Sequence, residues 1–268
     1  MVIDRWNHFL ADGGDENAFR TRIDGPLREY VTRRSLRNEW LVHATLRLPR
    51  ARGRGHVLGR MLSEHLLEHR LVADLPAMPQ VVFTATELNT GRDFRIARDF
   101  IGGYDYGYVE PTPPTIELGT AIAASAAFPA SLSVVLLPAD GLSFTKSPRT
   151  LSLVDGGVYD NLGLEWFQGW DSGRPKSAVL PEFLIVVNAS SALTQTDRRY
   201  SWPRALVRDL GIQFQQTMNL RVRWLIDEWQ VKPAPGVYVG IGRDPRRFVD
   251  EKDVRVDPSS FAGALPSD

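Results

Sequence analysis

The stretch LSLVDGGVYDNLGLE, residues 151–165, decides how the rest of the chain is read. An apolar run suited to a buried strand stops at Asp155, and Gly156 and Gly157 follow at once. In open α/β sheets ligands gather outside the carboxyl ends of strands, and paired glycines there let backbone approach a substrate or a neighbouring loop closely. Asp-Gly is equally the sequence of an ordinary turn, with the carboxylate capping the bend. The tripeptide nominates Asp155, Gly156 and Gly157 without deciding between these readings.

Working outward, QVVFTATE at 80–87 is β-branched and aromatic, and Asn89-Thr90-Gly91 supplies turn chemistry before 93–97, which predicts a hairpin. Pro111, Pro113 and Pro114 mark an extended crossing. The Ala-rich segment 115–128 predicts a closely packed helix with Thr115 as N-cap and Pro129 as stop. Apolar runs at 134–137, 151–154 and 183–187 suit strands covered on both faces. Helical spacing runs over 57–72, until Pro76 and Pro79, and again over 204–229, with a late strand at 237–241. Strands interleaved with helices predict an α/β fold with helical layers. Residues 1–56, where Arg and Asp alternate with Trp6, Phe9, Trp40 and Leu41, read as a loosely packed arm. Residues 246–268 read as an extended tail, so 1–245 form the domain.

Composition removes several function classes. The 268 residues are 43% hydrophobic, enough for a large core, and 32 basic residues balance 32 acidic ones. That neutrality gives no global attraction for nucleic acid. With no cysteine there is no disulfide framework, thiol nucleophile or cysteine metal site. Residues 1–10 lack the apolar stretch of a secretory signal, and no apolar run approaches the roughly 20 residues of a spanning helix. The expected location is cytoplasmic or peripheral to a membrane.

Three motifs occur in order: FTATELNTG (83–91), AIAASAAFP (121–129) and LVDGGVYDNLGLE (153–165). Together they resemble the bacterial patatin-like phospholipase family, with the best match over 81–164. The resemblance implies a three-layer α/β/α fold and hydrolysis of lipid acyl esters by a Ser-Asp dyad that needs no cofactor. The family's D-G-G or D-G-A motif supplies the Asp, which here is Asp155. In such a dyad the carboxylate accepts the serine proton as the hydroxyl attacks the ester carbonyl. No histidine is required, which suits a chain whose five histidines all precede residue 70.

The family's G-x-S-x-G elbow and glycine-rich oxyanion loop have no counterpart in these residues. Asp12-Gly13-Gly14-Asp15 lacks the strand before it and the basic residue; Gly141-Leu142-Ser143 lacks the second glycine; Ser125 has no elbow around it. Both missing motifs precede the matching stretch in the family, so the chain reads as the C-terminal portion of a patatin-like domain, N-terminally truncated. It holds the base without the nucleophile and is expected to be inactive alone. Its partner would be a lipid or acyl-ester substrate once completed, and an exposed sheet would favour self-association. A non-catalytic remnant or binding module is the alternative.

A third reading rests on His65-Leu66-Leu67-Glu68-His69, which fits the H-x-x-E-H pattern of inverted zincins. On a regular helix His65 and His69 fall roughly 40° apart, on the inward arc with Val57 and Met61. Hydrogen-bonded histidines are the ordinary alternative to a zinc hydrolase, since no third ligand is evident. Trp202, Trp224 and Trp229 near Arg204, Arg208, Arg221 and Arg223 suggest peripheral membrane contact, or an amphipathic helix packing its tryptophans on the sheet.

Overall fold

The fold is mixed α/β in a computed structural model that describes residues 6–33, 54–128, 134–146, 148–169, 183–190, 199–231 and 236–240. The predicted tail, the part of the arm holding Trp40 and Leu41, and Pro129 lie outside the described residues. The chain divides into two units, Met1–Gly163 and Leu164–Asp268.

In the first unit, the segment read as an arm begins with three helices, α1 (Trp6–Ala11), α2 (Glu16–Phe19) and α3 (Gly25–Arg33). Phe9 of α1, Ala18 of α2 and Ile23 of the intervening π-helical segment Arg20–Asp24 form a small apolar cluster, and Asp15 caps α2 by accepting the Ala18 amide at 2.8 Å.

Six strands form one sheet: β1 (Val82–Glu87), β2 (Arg92–Ala97), β3 (Ile101–Gly103), β4 (Gly107–Val109), β5 (Val135–Pro138) and β6 (Thr150–Asp155). Their order is β4-β3-β2-β1-β6-β5, with every pair antiparallel. The hairpin expected around Asn89-Thr90-Gly91 joins β1 to β2, with Gly91 at φ +67°. Because neighbours run in opposite directions, strand ends of both kinds share each edge, and the carboxyl-edge rule of parallel sheets does not place the site. What places it is register: Ala85 faces Asp155 and Glu87 faces Leu153.

One face of the sheet carries Phe94, Ile96, Ala85, Leu151 and Leu153 into the main apolar cluster. The Ala-rich helix α5 (Leu118–Ser125) closes over it, with Ala121, Ala123 and Ala124 fully buried. Its small side chains admit α4 (Arg54–Leu62) so closely that a β-carbon on Gly59 would meet the Gly119 carbonyl at 3.2 Å. On β2 the other face buries a charged pair, Asp93 with Arg95, and Arg95 reaches the Tyr108 hydroxyl at 2.7 Å.

Two helix boundaries differ from the expectation. Thr115 is not the N-cap of α5; Glu117 is, with an extended backbone at ψ 139°. The Val72 amide donates to the Ile116 carbonyl at 2.9 Å and Leu71 bridges Glu117, so these residues are held extended and the N-cap falls at Glu117 instead of Thr115. The helix expected over 57–72 runs as α4 only to Leu62, turns into a π-helical turn over Ser63–Leu67, and ends at Glu68 and His69, both at positive φ. The Ser63 hydroxyl, fully buried and donating to Glu117 at 2.6 Å, sits at that change of pitch. Pro76 and Pro79 have no part in the stop.

The second unit holds α7 (Glu165–Gln168), β7 (Leu184–Asn188), the 30-residue α8 (Trp202–Val231) and β8 (Gly236–Gly240). β7 and β8 pair in parallel. The expectation that 183–187 is covered on both faces fails: Leu184 and Val186 are buried while Ile185 and Val187 are 63% and 51% exposed, the alternation of a one-sided strand. No helix among the described residues is long and apolar enough to cross a membrane.

Candidate functional site

Asp155 is the last residue of β6, followed by Gly156 and then by a short helix, α6 (Gly157–Asp160). Period-two alternation puts its side chain on the face that carries Leu151 and Leu153, both fully buried, so the carboxylate emerges at the rim of the core and is half-buried. Burial pushes its pKa above the ordinary 3.8, opposed by the Gly157 amide, which donates to Oδ1 at 2.6 Å. The result is a carboxyl group more basic than a surface aspartate, the property a general base needs.

Backbone bonds fix the turn from two sides. The Asp155 amide donates to the Ala127 carbonyl at 3.1 Å and the Gly156 amide to the Ser125 carbonyl at 3.4 Å, so the end of α5 is tied to the strand end. From β1, the Thr86 hydroxyl donates to the Asp155 carbonyl at 2.9 Å and accepts the Tyr159 amide at 3.1 Å. Gly156 is required here by space rather than by torsion. Its φ of −61° is open to any residue, but a β-carbon would collide with the Thr84 carbonyl and come within 2.6 Å of the Thr84 hydroxyl. The three quoted motifs thus meet at one place: β1, the end of α5, and the Asp-Gly-Gly turn.

No family model matches the chain, and no curated protein matches it.

Sequence reasoning missed Glu87. It is 1% exposed and accepts from the Asn89 side chain at 2.7 Å, the Thr90 amide at 2.9 Å, the Ser152 amide at 3.2 Å and the Tyr106 hydroxyl at 3.2 Å. Burial first, then the Glu87 charge, raises the Tyr106 pKa above its usual 10.0. The signal available was a carboxylate closing an otherwise uncharged strand two residues before Asn-Thr-Gly, where its oxygens meet the amides of the turn.

The other sequence candidates separate. Ser143 is exposed beside Gly141, which stands at φ +86°, and Gly13 and Gly14 form the positive-φ turn after α1. His65 and His69 are exposed rather than inward-pointing, because the π-helical turn and the reversal at Glu68 break the register that would align them. Among the described residues no group of three His, Asp or Glu side chains is arranged to hold a metal. His69 lies 3.5 Å from Glu117, the carboxylate that also receives Ser63. Trp202 and Trp224 are 79% and 49% exposed rather than packed on a sheet.

Proposed function

We propose that the chain is the base-bearing portion of a patatin-like lipid acyl hydrolase of three-layer α/β/α type, with Asp155 as the general base. The observation that carries the reading is a half-buried, pKa-raised carboxylate at a strand end, on a turn whose first glycine admits no side chain. In the reaction a serine hydroxyl attacks the ester carbonyl while Asp155 takes its proton. The alkoxide or lysolipid then leaves with a proton returned from Asp155, and water repeats the sequence on the acyl-enzyme. The serine and the oxyanion donors come from residues other than these, so Asp155 supplies only the proton step, typically worth 10²- to 10⁴-fold.

A second reading is favoured by the bond from the Gly157 amide to the Asp155 carboxylate, which is what a carboxylate capping its own turn would make in a non-catalytic binding module. Activity separates the two. The chain alone is expected to leave a fluorophosphonate probe unreacted and a short-chain nitrophenyl ester unhydrolysed. Extended by upstream coding sequence that supplies a G-x-S-x-G segment, it should gain esterase activity that Asp155→Asn removes. Stoichiometric serine labelling of the chain alone, or full activity in the extended Asp155→Asn variant, would overturn the proposal.

A further inference from the structure

The second unit presents a surface that the acyl-hydrolase reading does not use. Along α8, Leu206, Leu210, Gln213, Thr217, Leu220 and Trp224 recur at alternating spacings of four and three residues and all six are exposed. That is the spacing of a two-helix coiled-coil seam, in which each side chain would enter a hole on a facing helix. The buried side of the same helix is occupied separately by Met218, Arg221 and Leu225.

The seam is complementary to itself. Inverting the helix about Gln215 maps Leu206 onto Trp224, Leu210 onto Leu220 and Gln213 onto Thr217, so apolar layers meet apolar layers at both ends and polar meets polar in the middle. A slip of one heptad would set Leu210 against Gln213 and Leu206 against Thr217, burying an amide or a hydroxyl against leucine. On one flank of the seam the exposed Asp209 faces Arg223 of the inverted copy, and symmetry repeats the pair. Beside Leu206, where the inverted Trp224 arrives, an open concavity of about 640 Å³ is lined by Tyr200, Trp202, Ala205 and Ile212, among others. Antiparallel axes also oppose the helix dipoles favourably.

From the heptad seam, its inversion symmetry and the Asp209–Arg223 complementarity we infer that α8 is a dimerisation helix whose partner is the α8 of a second copy of this chain, packed antiparallel about Gln215. The inference stands independently of any hydrolase activity.

Sedimentation equilibrium of the full chain should give a concentration-dependent dimer. Asp209→Arg and Arg223→Asp singly place like charges at both pairs and should each weaken the dimer about tenfold, and the double reversal should restore it. Both sites are exposed, so folding is not at stake. The chain has no cysteine, which allows a register test: under oxidation Gln213→Cys mixed with Thr217→Cys should form a mixed disulfide, with neither variant linking to itself. Self-linking of each variant would show parallel pairing and overturn the inference. So would a monomer at every concentration, or a monomer that instead binds phosphatidylglycerol vesicles through Trp202 and Trp224.

Discussion

The Thr86 hydroxyl lies 2.9 Å from the Asp155 carbonyl and bridges it to the Tyr159 amide, which joins the central strand β1 to the turn that carries the candidate base. Thr86 is 3% exposed, so water cannot replace either bond. The hydroxyl is therefore a positioning group: it holds the backbone on both sides of Gly156 and Gly157.

Thr86→Val keeps the shape and removes both bonds, leaving the Asp155 carbonyl and the Tyr159 amide without that partner. The Tyr159 amide keeps its bond to the Gly156 carbonyl at 3.1 Å, so we expect a loss of about 1–2 kcal/mol in urea unfolding, the usual cost of removing hydrogen bonds from buried polar groups. Thr86→Ser should recover most of it. An unchanged midpoint in the valine variant would refute the bridging role.

Gly156→Ala and Gly91→Ala separate steric need from torsional need. At Gly156 the new methyl collides with the Thr84 carbonyl, which is backbone and cannot swing away, so roughly 1–3 kcal/mol is expected. At Gly91 nothing lies within 4 Å, and the penalty is that of positive φ alone, about 1 kcal/mol. Thermal unfolding should rank the two in that order; the reverse order would mean the turn relaxes where β1 does not permit it.

How much of this was legible in the sequence follows from the distance between partners. The hairpin at 82–97 could be read because its β-branched residues and its Asn-Thr-Gly turn are contiguous. The start of α5 could not, since Glu117 is held extended by Leu71, 46 residues earlier in the chain. The alignment of His65 with His69 failed because Ser63 and Glu117, also distant in sequence, sit where the helix changes pitch. Asp155 was visible as a strand end, but its burial came from register with β1, and Glu87 was invisible because Ser152 and Tyr106 come from elsewhere in the chain.

Glu87→Gln tests that hub. An amide keeps one acceptor oxygen and turns the other position into a donor, so the NH₂ must face either the Thr90 amide and the Tyr106 hydroxyl or the Ser152 amide and the Asn89 side chain. We expect about 2–4 kcal/mol of destabilisation, the upper part reflecting bonds to a charged acceptor. A variant as stable as the parent would remove Glu87 from the account of the hairpin.

His56 gives the fold a pH dependence. Burial and then the nearby Arg60 charge lower its pKa from the ordinary 6.5, and the Leu136 amide donates to Nε2 at 3.2 Å, a bond only the unprotonated nitrogen accepts. The unfolded chain therefore takes up the proton first. The stabilisation is complete above pH 6.5 and is lost as pH falls toward the depressed folded value. The ring is half-exposed, which limits the effect to less than about 1 kcal/mol after solvent screening. His56→Gln can still accept the Leu136 amide without titrating, so its urea midpoint should change less between pH 7.5 and pH 5 than the parent's; equal slopes would exclude His56 as the source.

Asp155→Asn should be neutral or stabilising at pH 7, the opposite of what a structural capping aspartate would show. The folded pKa is raised by burial, so the folded state holds the proton more tightly than the unfolded chain does. Its contribution is present below pH 3.8 and is lost as pH rises through the folded value, which leaves the ionised group a net liability at neutral pH. Asparagine keeps an oxygen for the Gly157 amide and carries no charge to desolvate. The melting temperatures of parent and variant should therefore converge below pH 3.8 and separate as pH rises through the raised folded value, with the variant equal or higher at pH 7. A strained or desolvated group that costs stability where it sits is the trade-off expected of a residue kept for chemistry. If Asp155→Asn instead lowers the melting temperature by several degrees at pH 7, the Gly157 bond outweighs burial. Asp155 would then be a cap for its own turn, and the base assignment would lose its physical support.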